Sequence, residues 1–175
     1  MKFLKAPLIL VIACSIALLI FYPYQQAFVF TETRTDDASV HYIPIEDEQI
    51  FQIRYTHSIH KTDVLEYYKI INQSKIQLLK MVYTDLAIGL PGFAEEDQSF
   101  EERDGKYILT YKNEVIDSFT LLVGNIDLDL VFQYKGNEID LKKDLQRGKS
   151  YLVEIKKISL YQQMKGEKMN GKKIS

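Results

Sequence analysis

The segment from Tyr55 to Glu66, YTHSIHKTDVLE, gathers two histidines, a serine and two carboxylates in one short stretch. Three kinds of chemistry could use them. A metal site needs three or four convergent nitrogen or oxygen donors, and His57, His60, Asp63 and Glu66 are the residues of the right type. Nucleophilic catalysis needs a serine bonded to a histidine whose ring is oriented by a carboxylate, and His57, Ser58 and Glu66 are the candidates. Adjacent strand residues point to opposite faces, however, and no glycines flank Ser58 as in a nucleophile elbow. A His-x-x-His pair alone is also short of a ligand set.

The third reading is architectural. If Ser58 to Thr62 is a loop joining two antiparallel strands, His57 faces Asp63, Tyr55 faces Leu65 and Arg54 faces Glu66. Phe51, Ile53, Tyr55, Leu65 and Tyr67 then share the core face. The Arg54–Glu66 pair would contribute roughly 0.2–1 kcal/mol across the ladder. This reading is favoured, no cofactor is expected, and a hydrolase or metal-binding site centred on His57, Ser58, His60 and Glu66 stays open as the alternative.

Other polar groups are weaker candidates. Asn125, Asp127 and Asp129 alternate with Ile126, Leu128 and Leu130, which puts them on one strand face. The glycine that a calcium loop requires is missing, since Leu130 stands there. Gly89-Leu90-Pro91-Gly92 reads as a type II turn in which Pro91 sets the first central dihedral and Gly92 supplies the positive one. A nest of backbone amides for an anion is the competing use of the same residues.

The elements that must position these groups are strands. Ile50 to His57 alternates apolar and polar side chains, the signature of a half-buried strand. Short strand-like runs recur at 28–30, 75–84, 106–112, 115–123, 126–134, 138–141 and 151–160. Asn113-Glu114 and Lys135-Gly136-Asn137 are hairpin signals between them. Thr35 to Gln49 and Ala94 to Gly105 read as loops. Residues 62–73 carry Val64, Tyr68 and Ile71 at helical spacing, but their isoleucines and tyrosines favour a strand. The pattern predicts an all-β domain, an antiparallel sandwich or barrel.

The N-terminus carries a different signal. Lys2 and Lys5 precede an uncharged run from Ala6 to Tyr24, within the roughly 17–25 residues that span a bilayer. Tyr22 and Tyr24 stand at its outer end, where aromatic belts form, and lysines on the N-terminal side place the rest of the chain outside the cytoplasm. A cleaved signal peptide would need a shorter apolar run and small residues at the cut, and Gln25-Gln26-Ala27 is a poor match. Val11-Ile12-Ala13-Cys14 loosely resembles a lipidation site, but the chain stays apolar beyond Cys14. The expectation is an uncleaved signal anchor: residues 1–5 cytoplasmic, 6–24 transmembrane, 25–161 an extracytoplasmic β-domain, and 162–175 a disordered basic tail. Cys14 is the only cysteine, so no internal disulfide can hold the domain. The net charge of −2 gives no indication of a nucleic-acid partner.

Tyr55-Thr56-His57-Ser58-Ile59, then Glu66, then Gly89-Leu90-Pro91, resemble a bacterial family of small proteins with an N-terminal hydrophobic segment, the domain-of-unknown-function family 1850. Its pattern has a tyrosine-x-histidine-serine-aliphatic strand end, a glutamate some eight residues on, and a glycine-leucine-proline turn. The resemblance rests on Tyr55, His57, Ser58, Ile59, Glu66, Gly89, Leu90 and Pro91, and the candidate functional cluster is Tyr55, His57, Ser58, His60, Thr62, Glu66, Gly89, Leu90 and Pro91. One departure is Leu86-Ala87-Ile88-Gly89, where members often carry a glycine-alanine-glycine-like run. The resemblance implies no known activity. Because members are often encoded beside tripartite TRAP transporters of the TAXI type, it implies a role near a solute-uptake system, with transporter subunits or a solute-binding protein as partners.

Overall fold

The computed structural model describes residues 5–86 and 88–174. The chain opens with helix α1 (Lys5–Phe21) and continues almost entirely in strands: β1 (Gln25–Glu32), β2 (Val40–Pro44), β3 (Ile50–Thr56), β4 (Asp63–Ile71), β5 (Lys75–Tyr83), β6 (Gln98–Arg103) and β7 (Lys106–Tyr111). There follow β8 (Val115–Ile116), β9 (Ser118–Leu122), β10 (Leu130–Tyr134), β11 (Asn137–Asp140), the single turn α2 (Leu141–Asp144), β12 (Ser150–Ile158), α3 (Leu160–Lys165), β13 (Glu167–Lys168) and β14 (Lys172–Lys173). One sheet runs β13-β2-β1-β12-β9. The larger runs β14-β11-β10-β3-β4-β5-β7-β6, with β8 also on β5. Pairing is antiparallel apart from the short parallel contact of β13 with β2.

The two sheets share one core because alternate residues of each strand face the other layer. Phe28 and Phe30 of β1 and Tyr151, Val153 and Ile155 of β12 meet Phe51, Ile53, Tyr68 and Phe132 from the larger sheet. Phe28 packs edge-on to Phe51 at 4.8 Å and to Phe132 at 5.0 Å between ring centroids.

Several expectations are corrected. Strand β2 lies inside the stretch read as a loop over 35–49, and β6 lies inside the one over 94–105. Strand β6 is a largely polar edge strand paired only with β7, and Phe100 is its one apolar residue, too little for an alternation to be read. The hairpin expected at Asn113-Glu114 does not form. Instead β8 joins β5 in one sheet and β9 joins β12 in the other, so the chain crosses between layers. Ile116, Phe119 and Leu121 all pack against the same core, and the odd spacing from Ile116 to Phe119 marks where the alternation breaks at the crossing. Residues 125–129 are a loop rather than a strand face. The expected disordered tail is ordered through 174: α3 begins with a capping box between Ser159 and Gln162, Met169 is 3% exposed, and β14 pairs with β11. Its lysines face solvent while one methionine fills the core, so composition concealed the anchor.

No helix among the described residues is long and apolar enough to cross a membrane. The helix expected over 6–24 covers 17 residues and stops at Phe21. Pro23 explains the stop, because proline disfavours helical geometry in the residue before it and has no amide hydrogen to donate.

The hairpin of β3 and β4 forms, in a different register from the expected one. His57 N–H donates to Thr62 O at 2.8 Å and Lys61 N–H to His57 O at 3.0 Å, with Lys61 at φ 58°. The loop is therefore 58–61, one residue shorter than expected. Because strand side chains alternate, a one-residue shift sends every partner to the other face. Thr56 faces Asp63, Tyr55 faces Val64, Arg54 faces Leu65 and Ile53 faces Glu66. Leu65 and Tyr67 thus lie on the outer face, and Glu66 moves inward. Arg54 instead bonds Asp129 at 2.8 Å and lies 3.6 Å from Asp63. A double-mutant cycle read by chemical denaturation should show coupling of roughly 0.2–1 kcal/mol between Arg54 and Asp129. It should show none between Arg54 and Glu66, and coupling in that second pair would restore the expected register.

Candidate functional site

The inner face of the larger sheet extends past the smaller sheet, and this overhang is where the singled-out residues gather. Val64, Met81 and Tyr83 form a second core there, against which Tyr55, Leu90, Phe100, Tyr107 and Tyr111 pack. The segment after β5 folds back over it. Tyr83 donates its hydroxyl to Pro91 O, and Leu90 packs into the apolar cluster. Gly89 makes the bend with φ +92°, a conformation side-chain-bearing residues rarely adopt. The positive dihedral is thus at Gly89, not at Gly92 as the expected type II turn requires.

His57 ties this segment to the hairpin. Its Nδ1 lies 3.4 Å from the backbone N–H groups of Ile59 and His60, and its Nε2 lies 3.2 Å from Ile88 O. A nitrogen facing two donors must accept, and one facing a carbonyl must donate. Nδ1 thus faces two backbone donors and Nε2 a backbone acceptor. Both nitrogens are consumed by backbone groups, and no hydrogen bond among the described residues joins His57 to Ser58. Ser58, Ile59 and His60 are exposed, and His60 Nδ1 lies 4.0 Å from Asp85.

Glu66 sits on the inner face between the two cores. Tyr68 donates to its Oε2 at 2.6 Å and Tyr55 to its Oε1 at 3.3 Å. Burial raises the Glu66 carboxyl above its ordinary value, only partly offset by the hydrogen bonds from Tyr68 and Tyr55. Burial first, and then the neighbouring carboxylate, push the Tyr55 and Tyr68 phenols well above the usual tyrosine range. Tyr111, which donates to Met81 Sδ at 3.2 Å, is pushed up to about 12 chiefly by burial. The arrangement thus sets a buried carboxyl group between two phenol donors on the inner face of the sheet. Thr62 Oγ1 is buried with no partner among the described residues.

The four residues considered as metal ligands do not converge. Asp63 lies on the outer face and accepts from Thr56 Oγ1 at 3.0 Å, whereas Glu66 points inward to its tyrosines. Among the described residues no group of three or more His, Cys, Asp or Glu could hold a metal ion. The loop acids are used separately: Asp127 pairs with Arg147 at 3.1 Å and Asp129 with Arg54. Tyr55 and Ser58 also border an open groove of about 270 Å³ between the ends of the two sheets, walled chiefly by Leu121, Leu122, Ile126, Leu128 and Leu130.

Tyr55, His57, Glu66, Leu90 and Pro91 are thus joined through hydrogen bonds and one apolar cluster. Ser58 and His60 stay at its exposed rim. Sequence reasoning missed Tyr68, Tyr83 and Tyr111. The available signal was a chain with 12 tyrosines and no tryptophan, in which a glutamate placed on the inner face needs phenolic donors.

The comparisons with known proteins bear on the same region. Neither the curated proteins nor the solved structures contain a match to the chain. A family model described as a domain of unknown function matches residues 51–141. That span runs from the first inward phenylalanine of β3 to the start of α2, and it includes every residue of the His57–Glu66–Leu90 assembly while leaving out β1, β2 and β12. With more than half of the chain matched, the protein belongs to the DUF1850 family.

Proposed function

We propose that this protein is a membrane-anchored, extracytoplasmic accessory or binding protein that works beside a TRAP-type solute uptake system. The observation that supports the anchor is the exposure of α1 along most of its length. Every side chain from Pro7 to Leu19 is exposed, including Leu8 at 60%, Leu10 at 65% and Leu19 at 72%. A helix apolar on all sides needs an apolar environment around it, since apolar surface left in water costs about 25 cal/mol per Å². The N-terminal lysines favour placing the β-domain on the outer side. The association with a transporter is carried by family membership alone.

For the binding role, the support is a set of residues held in place by backbone bonds next to an apolar groove. The test is to express the full chain and a version lacking residues 1–24. The full chain should stay in the membrane fraction after an alkaline wash and the truncated one should be released. Cross-linking in intact cells, followed by identification of the linked proteins, should recover transporter subunits or a solute-binding protein. Release of the full chain by the wash would remove the anchor, and recovery of unrelated neighbours would remove the transporter.

A further inference from the structure

We propose that α3, together with the aromatic end of α1, is a second membrane contact: a short interfacial helix that lies among the lipid headgroups and sets how the domain stands on the bilayer. The proposal rests on the anchoring reading of α1.

The sequence builds α3 as a separate helix. Ser159 accepts from Gln162 N–H at 3.2 Å, and the Gln162 side chain accepts from Ser159 N–H at 2.8 Å, a capping box that starts the helix after β12. Leu160 and Met164 are four residues apart and share a face. They are apolar yet exposed, Leu160 at 39% and Met164 at 76%, with Tyr161 beside them at 43%. The single turn α2 buries Leu141 in the core, whereas α3 buries none of its residues. A helix presenting leucine, tyrosine and methionine outward is not explained by packing within the chain.

Its position indicates what covers it. The Tyr161 ring lies 5.2 Å from that of Phe21, the last residue of α1, and Gln163 donates to the Tyr24 hydroxyl at 3.2 Å. Phe21, Tyr22 and Tyr24 are themselves 58%, 64% and 53% exposed. Apolar surface thus runs without a break from the anchor helix through an aromatic collar onto α3. Rings with one polar edge are what membrane interfaces select. Lys165, exposed in the last turn of α3, forms no ion pair among the described residues. Its stem can lie along the apolar surface while the ammonium group meets phosphate headgroups. A lipid surface matches both the continuity and the charge.

The test uses the full chain with Cys14→Ser and one labelled cysteine at a time, reconstituted in phosphatidylcholine–phosphatidylglycerol vesicles carrying nitroxide lipids of shallow or deep placement. Met164→Cys reports α3, Ile12→Cys reports α1, and Ile59→Cys reports the exposed loop between β3 and β4. The label at position 164 should be quenched most by shallow nitroxides, at a depth of about 5–10 Å inside the headgroup boundary. The label at 12 should respond to deep nitroxides and the label at 59 to neither. Quenching at 12 with no more quenching at 164 than at 59 would leave α1 as the anchor and overturn the interfacial helix. Loss of quenching at 12 and 164 together would remove the anchoring reading and this proposal with it. Disulfide formation between copies through position 164, without lipid quenching, would assign the patch to a second copy of the chain instead.

Discussion

Phe51→Ala should lower the unfolding free energy by about 3–5 kcal/mol, as large-to-small changes of buried aromatics do. Phe51 is fully buried at the centre of the shared core, stacked on Tyr68 at 5.0 Å and Phe132 at 5.2 Å and edge-on to Phe28. Its removal leaves a cavity walled by aromatic rings, which cannot close up without moving both sheets. Chemical denaturation of the full chain in mild detergent measures the cost. Val115→Ala, at a 42% exposed position on the short β8, should stay below about 0.5 kcal/mol. Equal costs at the two positions would show that Phe51 does not lie in the shared core.

Glu66→Ala should cost about 1–3 kcal/mol, because it leaves the Tyr55 and Tyr68 hydroxyls without their acceptor. An exposed carboxylate paired with Arg54 would have cost less than about 1 kcal/mol. Glu66→Gln separates packing from charge. The folded carboxyl titrates above its ordinary value of 4.5, mainly through burial. The folded state therefore holds the proton to higher pH than the unfolded chain does, and the wild-type protein loses stability as pH rises from near 4.5 through the raised folded value. Glutamine carries no such slope. Measured as variant minus wild type, Glu66→Gln should become more favourable between pH 4 and pH 7. A flat difference across that range would mean that Glu66 is solvated in the folded state.

These two positions show where local pattern carried the reading and where it stopped. Phe51 and Ile53 were legible because period-two alternation in a half-buried strand is a local property, readable without knowing the partner strand. The strand character of β3, β4, β5 and β12, the hairpin at Lys135-Gly136, and the grouping of Tyr55, His57, Glu66, Leu90 and Pro91 followed from residue types and motif. Glu66 was placed on the wrong face because its side depends on loop length. The left-handed Lys61 closes a loop of four residues rather than five. That difference of one residue exchanges a solvent-exposed ion pair for an inward carboxylate held by two phenols.

The sequence by itself determined a mostly β chain preceded by an apolar N-terminal helix, because apolar periodicity and uncharged length are written in neighbouring residues. Only the tertiary structure decided which strand pairs with which. The passage of β8 and β9 into different sheets, the docking of Met169, and the bond from His57 to Ile88 each join residues far apart in the chain. Such contacts form when burying apolar surface outweighs the entropy of closing the loop, and no local pattern encodes that balance.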